Sequence, residues 1–120
     1  MIKEYDFHCP HCNARLDTNG FIILKTKREN GDEGEIRMDA NLGNYQYTHE
    51  PPVNFSAGEL VDFICTSCNK SLNSDEFENY AKLKMQVDDK IVFDILFSRI
   101  AGIQKTYLIT EDGIESYTGN

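Results

Sequence analysis

Two short motifs, Cys9-Pro10-His11-Cys12 and Cys65-Thr66-Ser67-Cys68, hold all four cysteines of the chain. They sit at matched places in an internal repeat. Residues 6–18 read DFHCPHCNARLDT and residues 62–74 read DFICTSCNKSLNS, at a constant offset of 56 with six identities in thirteen positions. A cysteine pair separated by two residues spans one edge of a tetrahedron of sulfur ligands from a tight turn, and a second pair completes it. In a reducing compartment such pairs read as metal ligands before disulfides. Cys9, Cys12, Cys65 and Cys68 are therefore expected to bind one metal ion, Zn²⁺ with iron as the lesser alternative, in a closed structural site that joins the two halves of the chain.

The residue after each motif agrees with this reading. A metal-binding turn commonly needs positive φ there, so that backbone N–H groups can point at the sulfurs. Asn is second only to Gly in tolerating that geometry, and Asn13 and Asn69 fill both positions.

Each motif is followed by a hairpin pattern. In the first copy Phe21-Ile22-Ile23-Leu24 leads to a turn at Asn30-Gly31, then to Glu35-Ile36-Arg37-Met38, which alternates with period two. In the second, Ala81, Leu83, Met85 and Val87 alternate with polar residues up to a turn at Asp88-Asp89. The return segment 91–97 is apolar on both faces except for Asp94, as in a central strand. A further strand is expected over 104–110, then a turn at Glu111-Asp112-Gly113 and a short tail. The fold class predicted is mainly β, with two strand–zinc-knuckle–hairpin repeats around one Cys₄ site. At most one short helix is expected, over residues 74–80, where Ser74 can cap and Asp75, Glu76 and Glu78 suit a first turn.

The chain reads as one domain over residues 1–120, with repeats at 1–40 and 60–98 and an insert loop at 41–59. The insert contains Pro51-Pro52, a strand expected near residues 45–48, and three aromatic residues, Tyr45, Tyr47 and Phe55. His49 is expected to be a loop residue.

CPHCN and CTSCN, each preceded by a short strand and followed by a hairpin, resemble the two knuckles of a zinc ribbon. The likeness covers about half the chain and departs from the family in the long insert and in Asn for Gly. It implies a zinc site and a β fold, not an activity. The whole chain is also similar to small uncharacterised bacterial proteins with paired CxxC motifs. CPHC by itself matches the active-site tetrapeptide of strongly oxidising thioredoxin-fold oxidoreductases. There the motif opens a helix. Residues 13–20, NARLDTNG, are too short and turn-rich for one, and no βαβ pattern surrounds them. Thiol redox or metal transfer at CPHC is thus the alternative, and no catalytic constellation is found: there is no glycine-rich phosphate loop and no HExxH.

The formal net charge is −8, and each half of the chain carries 6 basic and 10 acidic residues. Four thiolates and one Zn²⁺ bring it to about −10. That balance argues against nucleic acid, so a nucleic-acid-binding ribbon is the disfavoured reading, and against anionic membranes. The expected partner is another protein of basic character. A homodimer through an edge strand or the insert aromatics is a second expectation. With no apolar run of membrane-spanning length and no signal-peptide pattern at Met1-Ile2-Lys3-Glu4, the expected location is cytoplasmic.

Asp6 and Asp62 are expected to be exposed or to bond the local backbone, and Phe7 and Phe63 to pack in the core beside the metal. Lys25, Lys27 and Arg28 form the only small basic cluster. Ser98, Arg99 and Lys105 are expected on a solvated rim.

Overall fold

The computed structural model describes residues 5–88 and 91–118. Ten strands follow in chain order: β1 (Asp6–His8), β2 (Asp17–Thr18), β3 (Phe21–Lys27), β4 (Glu33–Asp39), β5 (Tyr47–Glu50), β6 (Asp62–Ile64), β7 (Tyr80–Gln86), β8 (Val92–Ser98), β9 (Lys105–Thr110) and β10 (Gly113–Thr118). The protein is all-β, with no helix among the described residues. Two antiparallel sheets form, one ordered β1-β7-β8-β9-β10 and the other β2-β3-β4-β5 with β6 also on β3.

Period-two patterning decides which residues face inward. Ile22, Leu24 and Thr26 of β3 are buried between exposed or half-exposed neighbours, and Ala81, Leu83 and Met85 of β7 repeat the pattern. β8 lies in the middle of its sheet, as its two-sided apolarity predicts, with Ile95 and Leu96 both buried. The core joins Phe7, Leu16, Leu24 and Ile36 to Phe63, Leu72, Leu83 and Ile95.

The two hairpins share one register. β3 pairs with β4 as Phe21↔Asp39 through Lys27↔Glu33, and adding 59 to every number gives the pairing of β7 with β8. The same offset carries Glu35↔Glu50, where β4 meets β5, onto Asp94↔Ile109, where β8 meets β9. The connections correspond too. The amide of Asn44 donates to the carbonyl of Asn41, and that of Ile103 to the carbonyl of Ile100, both at 3.1 Å. Gly43 and Gly102 take φ of 90° and 91° at matching places in these turns, a geometry that favours glycine. The segment 41–59, expected as an insert with one strand and then an irregular loop, is therefore partly a continuation of the repeat. Its first part holds β5, the counterpart of β9, and the strand expected near residue 45 starts at Tyr47.

The strands before the knuckles cross over. β1 pairs with β7, as Phe7↔Met85, and β6 pairs with β3, as Phe63↔Thr26. Each hairpin thus takes its neighbour strand from the other half of the chain, and the two halves cannot separate without breaking both ladders.

Other segments differ from expectation. Ser74 does cap, its hydroxyl accepting from the amides of Glu76 and Phe77, but the segment stays a turn. Asn79 at φ 66° turns the chain into β7 before a helix can propagate. The tail after Gly113 is a full strand, β10, paired along its length with β9. Asp89, in the expected second hairpin turn, lies outside the described residues.

Candidate metal centre

The local fold of the knuckles is the same in both. The amide of Cys9 donates to the carbonyl of Ala14 and that of Asn13 to the carbonyl of Cys9. Cys65 and Asn69 donate to Lys70 and Cys65 in the same way. These rings close only because Asn13 and Asn69 adopt φ of 64° and 61°. The turn leaves amides free to reach sulfur: His11 N–H donates to Cys9 Sγ and Ser67 N–H to Cys65 Sγ, each at 3.3 Å. Such bonds favour the thiolate over the thiol.

The crossed strands bring the knuckles together. All four Sγ atoms lie within 4.8 Å of one another. The short approaches run between the halves, Cys9 to Cys68 at 3.8 Å and Cys12 to Cys65 at 3.7 Å. A tetrahedron with metal–sulfur bonds of 2.3 Å has edges of about 3.8 Å. Neither pair is disulfide-bonded: all four cysteines are free. The donor set and spacing fit a metal ion held by four thiolates.

Burial divides the ligands. Cys9 and Cys65, the first of each pair, are fully buried, Cys68 is half-buried and Cys12 is exposed. Without a metal, burial pushes the Cys9 thiol up to about 12 and raises that of Cys65. Cys12 is drawn down to about 7, chiefly by the Ala14 backbone amide. A cation among the sulfurs removes the desolvation cost of the buried pair, so metal loading and proton release are coupled.

Side chains outside the motifs tie the knuckles in place. His11 Nε2 donates to the carbonyl of Ser71 at 3.0 Å, from one knuckle to the other. Lys25 on β3 reaches the side-chain carbonyl of Asn69. His8 Nδ1 donates to the carbonyl of Asn13 in its own knuckle, 2.9 Å away. Neither His8 nor His11 belongs to the cluster of potential ligands.

The remaining singled-out residues serve packing. Phe7 and Phe63 are buried, and Phe63 packs edge-on against Phe97 at 5.0 Å between centroids. Asp6 pairs with Arg15 at 3.1 Å. It is Asp17 that accepts the Phe7 backbone amide. Asp62 bonds the guanidinium of Arg99, whose Nε also donates to the Val61 carbonyl, so Arg99 is engaged and not a solvated rim cation. Arg28 grips Glu59 with two hydrogen bonds of 2.8 and 2.9 Å. His49 is a buried residue of β5 rather than a loop residue.

The fold and site define an all-β chain with a four-cysteine cluster able to hold a metal ion. No protein-family model, curated protein or solved structure matches the chain, and among the described residues no helix is long and apolar enough to cross a membrane.

Proposed function

We propose that the cluster holds one structural zinc ion and that the scaffold is a non-catalytic protein-binding module of the zinc-ribbon type. The observation that carries the metal reading is the pair of cross-half sulfur distances, which match the edges of a zinc–thiolate tetrahedron. Four protein ligands fill the coordination shell and leave no position for substrate. Iron fits the same donors and is the lesser choice. Free cysteines agree with a reducing, cytoplasmic setting.

The interaction reading rests on charge and on one aromatic group. The net charge of −8 suits a basic protein partner. On edge strand β5, Tyr47 is 47% exposed and stands against Phe55, which in turn packs on His49 and under Arg28. Half-exposed Tyr on a supported surface is a common interface anchor. Affinity capture with wild type and Tyr47→Ser at equal zinc content tests this. A partner retained by wild type and lost from the variant supports it; identical captures count against this face.

The exposed Cys12, with its lowered thiol pKa, favours a second reading, thiol chemistry at the CPHC motif. Alkylation of the metal-loaded protein separates the two. Rapid labelling of Cys12 favours thiol chemistry, and protection of all four thiols favours the structural site.

A further inference from the structure

The matching turns 41–44 and 100–103 stand over a cavity of about 230 Å³ between the two sheets. Its floor is apolar and comes from both halves: Ile22 and Ile36 from one sheet, Phe7, Leu83 and Ile95 from the other. These side chains are themselves buried, so the cavity penetrates the core. Its rim is mixed, with the exposed side chains of Asn41, Gln46 and Gln104 beside those of Tyr47 and Ile103. An apolar cavity of about 150 Å³ is already enough to take benzene. Ligand sites favour such junctions, apolar within and edged by a few polar groups.

The charged groups on the lining are committed elsewhere. The carboxylate of Asp39 accepts from the Asn41 amide and from the side chains of Asn41 and Asn44. The guanidinium of Arg99 is held by Asp62 and the carbonyl of Val61. The hydroxyls of Tyr45 and Thr106 bond to each other, and that of Tyr45 also donates to the Tyr117 carbonyl. An anionic or cationic guest would leave water for an apolar floor with no counter-charge to meet it, which costs more than the cavity returns. A neutral guest meets no such penalty, and the rim amides can bond one polar group at its outer end.

We infer that this cavity is a binding site for an uncharged, mainly hydrocarbon small molecule of one or two rings, with its single polar group at the rim. None of the four cysteines lines the cavity, so the site is separate from the metal centre, whereas Tyr47 and Phe55 of the aromatic face form part of its wall.

2-Naphthol, neutral at pH 7 and fluorescent, is the probe, with 2-naphthoate as its charged counterpart. Methyl and fluorescence titrations of the zinc-loaded chain are expected to show saturable one-to-one binding of 2-naphthol. Shifts should fall on Ile36, Leu83 and Ile95 and spare Ile114, which is exposed and away from the cavity. 2-Naphthoate should bind at least tenfold more weakly, and Ala101→Leu, at the cavity wall, should weaken 2-naphthol at least tenfold. If that variant does not fold, the wild-type shift map and the comparison of the two probes decide. Absence of saturation, equal binding of the two probes, or shifts centred on Ile114 would overturn the inference. So would concentration-dependent shifts of the same floor methyls without added probe, which would assign the space to a second copy of the chain.

Discussion

The hydroxyl of Thr26 on β3 lies 2.6 Å from Nε2 of His49 on β5, and both residues are buried. The other ring nitrogen fixes the direction of this bond. Nδ1 is 2.7 Å from the Pro51 carbonyl, which can only accept, so Nδ1 carries a proton, and in that tautomer Nε2 is the acceptor for the Thr26 hydroxyl. Thr26→Val, of equal shape, leaves Nε2 buried without a donor. It should cost about 1–3 kcal/mol in denaturant unfolding, more than its change in volume explains.

Gly34 makes room for that imidazole. A Cβ at this position would clash with Cε1 of His49 and come within 2.7 Å of the Glu50 carbonyl oxygen. Gly34→Ala should therefore destabilise by about 1–3 kcal/mol despite the better strand propensity of alanine. In a His49→Ala background the penalty should shrink but persist, because the backbone oxygen remains. An unchanged penalty would place the strain elsewhere.

Glu59 supplies a pH dependence. Its carboxyl is held down to about 2 from an ordinary 4.5, first by the hydrogen bonds from Arg28, with the Ser56 amide adding to the effect. A carboxyl depressed by folding contributes stability that is complete above pH 4.5 and is lost as pH falls toward about 2. Wild type should melt higher than Glu59→Gln at neutral pH, and the gap should close across that window. Metal loss in acid is common to both proteins and cancels in the difference. A gap that stays constant with pH would contradict the assignment.

Asn13 and Asn69 are required first for their backbone geometry, the Asn69 side chain adding only the contact with Lys25. Substitution of either by Gly should keep the knuckle and its metal. Val at either site should cost about 1–2 kcal/mol through the left-handed conformation. Because binding and folding are coupled, the same change should lower apparent zinc affinity by about tenfold, read by competition with a chelator.

Much of this arrangement is legible in the sequence, and the reason is periodicity. The paired CxxC motifs, the two Asn residues and the alternation at Glu35-Ile36-Arg37-Met38 and at Ala81, Leu83 and Met85 each express a local rule. The two-sided apolarity of residues 91–97 likewise marks β8 as central. The strand exchange is not legible, because β1 and β6 are three residues each and nothing local says which hairpin they join. The correspondence of β5 with β9, and with it the place of His49 in a strand, is hidden by a change of offset. The knuckles repeat at 56 and the hairpins at 59, so the match between Asn41-Leu42-Gly43 and Ile100-Ala101-Gly102 emerges only when three residues are allowed between them. β10 was missed because its buried face is slight: Tyr117 alone is half-buried and the other five residues are exposed. Arg99 reads as a solvated rim cation, and Arg28 as a member of a basic cluster, because their partners, Asp62 and Glu59, lie more than thirty residues away.

The claim on which the rest depends is that four thiolates from two exchanged halves share one zinc ion. Metal content of protein purified without added metal, with free-thiol titration before and after chelation, tests it most directly. One zinc per chain is expected, with four thiols that react only once the metal is removed. A metal-free chain with reactive thiols from the outset would contradict it.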